Sequence, residues 1–143
     1  MATNIKEVNK ETLNADLRRF TGSDTPYRYS SLFPHLYLTE GAKYLAEHNH
    51  YWLMDVIGSY QHHPKVRSDK MLQEIQFWTL EKNKNDSAMV RCLRDTDDLV
   101  LYQKIKFTDS VLDSVMLYVQ PLHLSPNDYN EDGKKIILLP SEY

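Results

Sequence analysis

The sequence predicts an α+β fold: three N-terminal helices packed on one face of a four- to five-stranded antiparallel β-meander. Two observations lead there. Apolar residues recur at helical spacing up to about residue 64 and with period two after Lys70, and the polar breaks between the later segments are short enough for hairpins. A chain of 143 residues suffices for one domain with one core, spanning residues 1–143, with a helical part at about 3–64 and a sheet part at about 71–139.

The first helix is expected from about Ile5 to Phe20, where Leu13, Leu17 and Phe20 follow i, i+4, i+7 spacing extended upstream by Ile5 and Val8. Gly22 and Pro26 stand where a helix end wants them. Tyr27 to Tyr37, with three tyrosines and Pro34, reads as an irregular, aromatic-anchored connection. Thr39 can cap a second helix over Glu40 to Glu47, with Glu40 in the favourable first turn. Asn49 breaks the chain before a third helix from Tyr51 to His62, whose Trp52, Leu53, Val56, Ile57 and Tyr60 form an apolar stripe. Pro64 stops it.

Strands are expected over Gln73–Lys82, Ala88–Arg94, Leu99–Phe107, Val115–Gln120 and Lys135–Leu139. On the third of these, Leu99, Leu101, Ile105 and Phe107 are assigned to the helix-covered core. The opposite sheet face would then display Trp78, Tyr102, Met116 and Tyr118 as a contact surface, although a one-residue register slip swaps the faces.

Charge narrows the function classes. The net charge is −3; residues 1–71 hold nine Lys/Arg against eight Asp/Glu, and residues 72–143 hold eight against twelve. The concentrated basic surface that phosphate neutralisation demands is absent, so nucleic acid is a disfavoured partner. The exception is an aromatic–basic cluster, Arg18, Arg19 and Arg28 with Tyr27 and Tyr29, of the kind that binds single strands weakly by stacking. One cysteine, no leader-like start and no apolar run of membrane length give the expectation of a cytoplasmic protein outside the membrane. Ten tyrosines are the compositional oddity, a residue suited to contact surfaces.

The densest chemistry lies around the third helix: His48, His50, His62 and His63 with Asp55. A helix of about 12 residues separates the two histidine pairs by roughly 18 Å, too far to share one ion, and no metal or other cofactor is expected. Asp55, Ser59 and His62 share a helical face, but Ser59 lies between the other two and parallel side chains make a poor triad, so no catalytic residue is assigned. A structural hydrogen bond from Asp55 to Tyr27, Tyr29 or a strand is the expected use. Asp95-Thr96-Asp97-Asp98 lacks the glycine and distal glutamate of a calcium loop and reads as a turn. Cys92 reads as a buried thiol, and no glycine-rich phosphate loop exists.

Several segments together resemble an uncharacterised family of small bacterial proteins, common in cyanobacteria and known only as a domain of unknown function. They are Phe20-Thr21-Gly22, Leu38 to Ala46, Tyr51 to Gln61, Gln76-Phe77-Trp78, Gln103 to Asp109 and Leu138 to Tyr143. The resemblance implies one bacterial domain, and it carries over no activity, cofactor or site residue. The reading is therefore a binding module whose partner is another protein or its own copy, an accessory or mobile-element protein among small bacterial chains. The rival is a small-molecule-binding protein or enzyme with a pocket between the third helix and the Tyr27–Tyr37 segment, using Asp55, Tyr60, His62 and His50.

Overall fold

The computed structural model describes residues 9–22, 25–125, 127–129 and 133–143. Helix α1 spans Lys10–Leu17, its N-cap Asn9 accepting from the Thr12 amide; the expected start at Ile5 lies outside the described residues. Strands β1 (Tyr27–Ser30) and β2 (Phe33–Leu38) follow, then α2 (Glu40–Leu45) and α3 (Tyr51–Tyr60). Two single-turn helices, α4 (Pro64–Arg67) and α5 (Lys70–Glu74), lead into β3 (Gln76–Lys82), β4 (Ala88–Asp95), β5 (Asp98–Ile105), β6 (Ser114–Pro121) and β7 (Lys135–Leu138).

The strands form one seven-stranded sheet in the order β1-β2-β7-β6-β3-β4-β5. The β2–β7 pair is parallel and every other pair antiparallel. This corrects the expected four- to five-stranded antiparallel meander, which survives only as β3-β4-β5. The helices are not one N-terminal block either, because β1 and β2 intervene between α1 and α2 and two short helices follow α3.

The correction has a physical cause. Tyr27 to Tyr37 is mostly a hairpin, disguised by Pro34 and by a Ser31-Leu32 turn without glycine or asparagine. Pro34 is tolerated because pairing with β7 begins only at Leu36, so the missing N–H falls outside that ladder. The parallel pairing joins segments about a hundred residues apart, and no local pattern announces it.

One hydrophobic core lies between the helices and the inner sheet face. Leu45, Leu53, Met54 and Ile57 from α2 and α3 meet Trp78, Leu80, Val90, Cys92, Leu117, Val119 and Ile137. Asn49 adopts φ 69, the left-handed conformation that asparagine tolerates, and so bends α2 away from α3 at the expected break. Gly58 lets β2 approach α3, since a Cβ there would meet the Phe33 ring at 3.0 Å.

Candidate functional site

Around α3 the reactive side chains are mostly tied down. Tyr29 Oη donates to Asp55 Oδ1 at 2.6 Å, with the Tyr51 carbonyl at 2.9 Å as a second acceptor sharing the same proton, and its ring stacks with those of Phe33 and Tyr51. Burial and the Asp55 carboxylate push the Tyr29 hydroxyl well above the usual phenol range. Tyr60 Oη donates to Gln103 Oε1 at 2.9 Å, bridging α3 to β5.

His50 is fully buried at the bend between α2 and α3. Its Nδ1 lies 2.7 Å from the His48 carbonyl and its Nε2 2.7 Å from Ser110 Oγ. Burial lowers its pKa, so the neutral ring donates from Nδ1 and accepts the Ser110 hydroxyl proton at Nε2. A serine beside a histidine suggests nucleophilic chemistry, but Ser110 is itself buried and no substrate atom can reach it. The pair fastens the α2–α3 bend to the β5–β6 connection.

Asp55, Tyr60, His62 and His50 therefore do not converge. Only His62 lines a cleft of about 190 Å³ between the C-terminal end of α3 and β2, with Phe33, His35, Leu36, Gly58, Arg67 and Lys135 among its walls. The position is the expected one between the third helix and the Tyr27–Tyr37 segment; the side chains are largely different. Of the six histidines, His48, His50, His63 and His123 are held by internal hydrogen bonds, while His35 and His62 have none among the described residues. Among the described residues, no group of three or more His, Cys, Asp or Glu is placed to hold a metal. Cys92 is buried in β4, and desolvation pushes its thiol up to about 12.

The sheet face expected to display Trp78, Tyr102, Met116 and Tyr118 is divided. Trp78 is buried on the inner face, its indole N–H donating to Gln76 Oε1 at 2.8 Å, in a network closed by Gln61. The register explains the correction: Trp78 pairs with Cys92 and Leu117, both core residues, whereas Thr79 pairs with Arg91 and Met116, and Arg91 with Tyr102. Tyr102 and Met116 thus share a cross-strand row on the outer face. Beside it Tyr118 packs edge-on against Phe77 and Tyr143.

Leu99 and Phe107, assigned to the core from the sequence, are exposed instead. A β-bulge sets Leu99 opposite Leu93 on the outer face, and Phe107 lies beyond the end of β5, while Leu101 of the same strand stays buried. Lys104 and Lys106 were the available signal, because lysine on alternate positions commonly marks an edge strand.

Neither is the aromatic–basic cluster one surface. Alternation on β1 puts Arg28 on the face opposite Tyr27 and Tyr29. Lys43 Nζ lies 4.8 Å over the Tyr27 ring, and Tyr29 is committed to Asp55. Arg18 and Arg19 are exposed at the end of α1. Asp95 to Asp98 form the β4–β5 turn, with Asp97 at φ 62 and Asp98 bidentate with Arg94 at 2.9 Å. Arg94 also binds Asp69, the N-cap of α5, and holds both carboxyls below the usual carboxylate range.

Two-layer architecture, a mixed sheet and an uncovered edge define the class of protein. The chain belongs to the family of unknown function DUF6876, whose model matches residues 11–143. No curated protein matches it in sequence. A solved protein of unknown function from Enterococcus faecalis is similar in fold, with a TM-score of 0.52 and 17% identity over 81% of this chain and 95% of that one. At that identity the likeness speaks for the fold alone. No helix among the described residues is long and apolar enough to cross a membrane.

Proposed function

We propose that this chain works by binding, and that its partner is a second copy of itself held along the edge strand β5 and the adjoining outer sheet face. The observation that carries this reading is the apolar exposure gathered there: Leu99 at 45%, Tyr102 at 55%, Phe107 at 70% and, on the same cross-strand row as Tyr102, Met116 at 46%. Leu99 and Tyr102 lie on the strand, Phe107 just beyond its end and Met116 across Thr79 and Arg91 on the outer face, so the exposed apolar side chains follow the free edge, where a contact site is expected.

The backbone supports the same edge. The opposite edge, β1, has only four residues, a short strand that resists pairing. β5 has eight residues and pairs on one side only, with β4, so it offers unpaired N–H and C=O groups along about 25 Å. Charge favours an identical partner. Asp95 and Asp97 sit at the turn before β5, and Lys104 and Lys106 at its far end. An antiparallel two-fold pairing of β5 with its copy sets the acidic end of each strand against the basic end of the other. The lysines that discourage promiscuous pairing then find partners in that arrangement. The lone thiol supports a reducing, cytoplasmic setting.

Sedimentation velocity over a dilution series tests the reading. A monomer–dimer equilibrium is expected, with Leu99→Asp, Tyr102→Asp and Phe107→Asp each raising the dissociation constant tenfold or more while leaving the unfolding temperature nearly unchanged. A chain that stays monomeric at the highest soluble concentration, or a dimer indifferent to all three substitutions, overturns it.

A further inference from the structure

The cleft between α3 and β2 combines two kinds of wall. Phe33, Leu36 and the bare backbone of Gly58 form an apolar part, in which the two side chains pack close against Gly58 because it has no side chain. Also lining it are His35, His62 and Arg67, all three solvent-exposed, and the buried Lys135. Among the described residues the side chains of the first three have no hydrogen-bond or ion-pair partner, and no carboxylate lines the cleft.

Lys135 is the least ordinary of the four. It interrupts the apolar register of β7 on the inner sheet face and is almost fully buried. Its Nζ donates to the Gln73 carbonyl and to Gln73 Oε1, both at 3.1 Å, and among the described residues no carboxylate lies within ion-pairing distance. Desolvation lowers its pKa, which measures how poorly the fold itself compensates this ammonium. An anion in the cleft would supply the missing charge. The two histidines left without internal partners are also the two that line this cleft, and each offers a ring N–H.

We infer that the cleft binds a small organic anion, its oxyanion headgroup on Arg67, Lys135 and the imidazoles of His35 and His62, its compact apolar body against Phe33, Leu36 and Gly58. The planar guanidinium of Arg67 suits the bidentate oxygens that carboxylate and phosphate share. The volume of about 190 Å³ is below that of pockets for drug-sized ligands and limits the occupant to a one-ring or short-chain body. The inference stands apart from the proposed self-association, because the cleft lies between α3, β2 and β7, away from β5.

Thermal shift and amide-NMR titration of the full chain with phenyl phosphate, benzoate, inorganic phosphate and benzyl alcohol test it. Phenyl phosphate, benzoate or both should raise the unfolding temperature, since a ligand selective for the native state stabilises it, and should move the amides of Gly58 and His62. Inorganic phosphate, lacking the apolar body, should bind at least tenfold more weakly, and benzyl alcohol should not bind. The preferred headgroup identifies carboxylate or phosphate as the natural chemistry. Arg67→Ala, at an exposed and unpaired position, should weaken binding about tenfold without lowering the unfolding temperature of the free protein. His62→Ala should weaken it by a smaller factor. Silence with both aromatic anions, equal binding of the neutral alcohol, or affinity unchanged in Arg67→Ala overturns the inference.

Discussion

His50 shows how a buried residue makes the stability of this fold depend on pH. Its ring is neutral in the folded chain because burial opposes the charge, so its folded pKa lies below the ordinary 6.5. In the unfolded chain the ring takes a proton near that ordinary value. Below about pH 6.5 the unfolded state therefore binds more protons than the folded state, and stability falls as pH falls toward the folded pKa. Above it the contribution is complete and level. Each pH unit between the two pKa values removes about 1.4 kcal/mol. Unfolding temperatures from about pH 8 to pH 5 should drop more steeply in the wild type than in His50→Gln, whose amide keeps polar contacts but does not titrate. Parallel curves would mean that the His48 carbonyl and Ser110 accommodate the proton instead.

At the scale of elements, the C-terminal residues act on α2. Glu142, in the short 3-10 turn Pro140–Glu142, accepts from Thr39 Oγ1 at 2.5 Å and from the amides of Gly41 and Leu139 at 3.0 Å. Thr39 in turn caps the Ala42 amide at 3.2 Å, so the start of α2 is closed by a carboxylate about a hundred residues away in sequence. Gly41 permits this approach, since a Cβ there would come within 2.6 Å of Glu142 Oε1 and 2.5 Å of a Leu139 methyl. Glu142→Ala should cost about 2 kcal/mol by urea denaturation, because it leaves partly buried donors unpaired, and Glu142→Gln should recover part of it. An unchanged midpoint in Glu142→Ala would show that water replaces the carboxylate. Thr39 as the N-cap was legible in the sequence because capping is local; the second capping group was not, because it arrives through tertiary structure. The same division runs through the strands. β3, β4 and β6 alternate cleanly, β5 alternates up to its bulge and β7 is a short buried run, and all five are readable to within a few residues, whereas β1 and β2 are short, interrupted by Pro34 and stabilised by a parallel neighbour. Trp78 was misplaced for a related reason: on a strand flanked by Phe77 and Leu80, alternation fixes two faces and does not say which one the helices cover.

For the whole molecule, the open question in the sequence was which surface remained uncovered, and strand order decides it. β5 lies at the edge, with Leu99 exposed beside its bulge, Phe107 exposed beyond its end, and Lys104 and Lys106 without ionic partners among the described residues. The His62 cleft was legible only as a location, because Arg67 and Lys135 reach it through α4 and the parallel pair. If two copies pair along β5 about a two-fold axis, their end charges form a self-complementary pattern that can be inverted. Asp95→Lys with Asp97→Lys should weaken the dimer by making both ends of the interface basic, and Lys104→Glu with Lys106→Glu should do the same by making them acidic. The quadruple variant restores opposite charges across the axis and should regain most of the affinity, a coupling that a purely apolar contact lacks. Raising the salt concentration should weaken the wild type and the quadruple variant alike, since these pairs lie at an exposed rim. Additive losses in the quadruple variant by sedimentation would place the acidic turn and the two lysines outside any common interface.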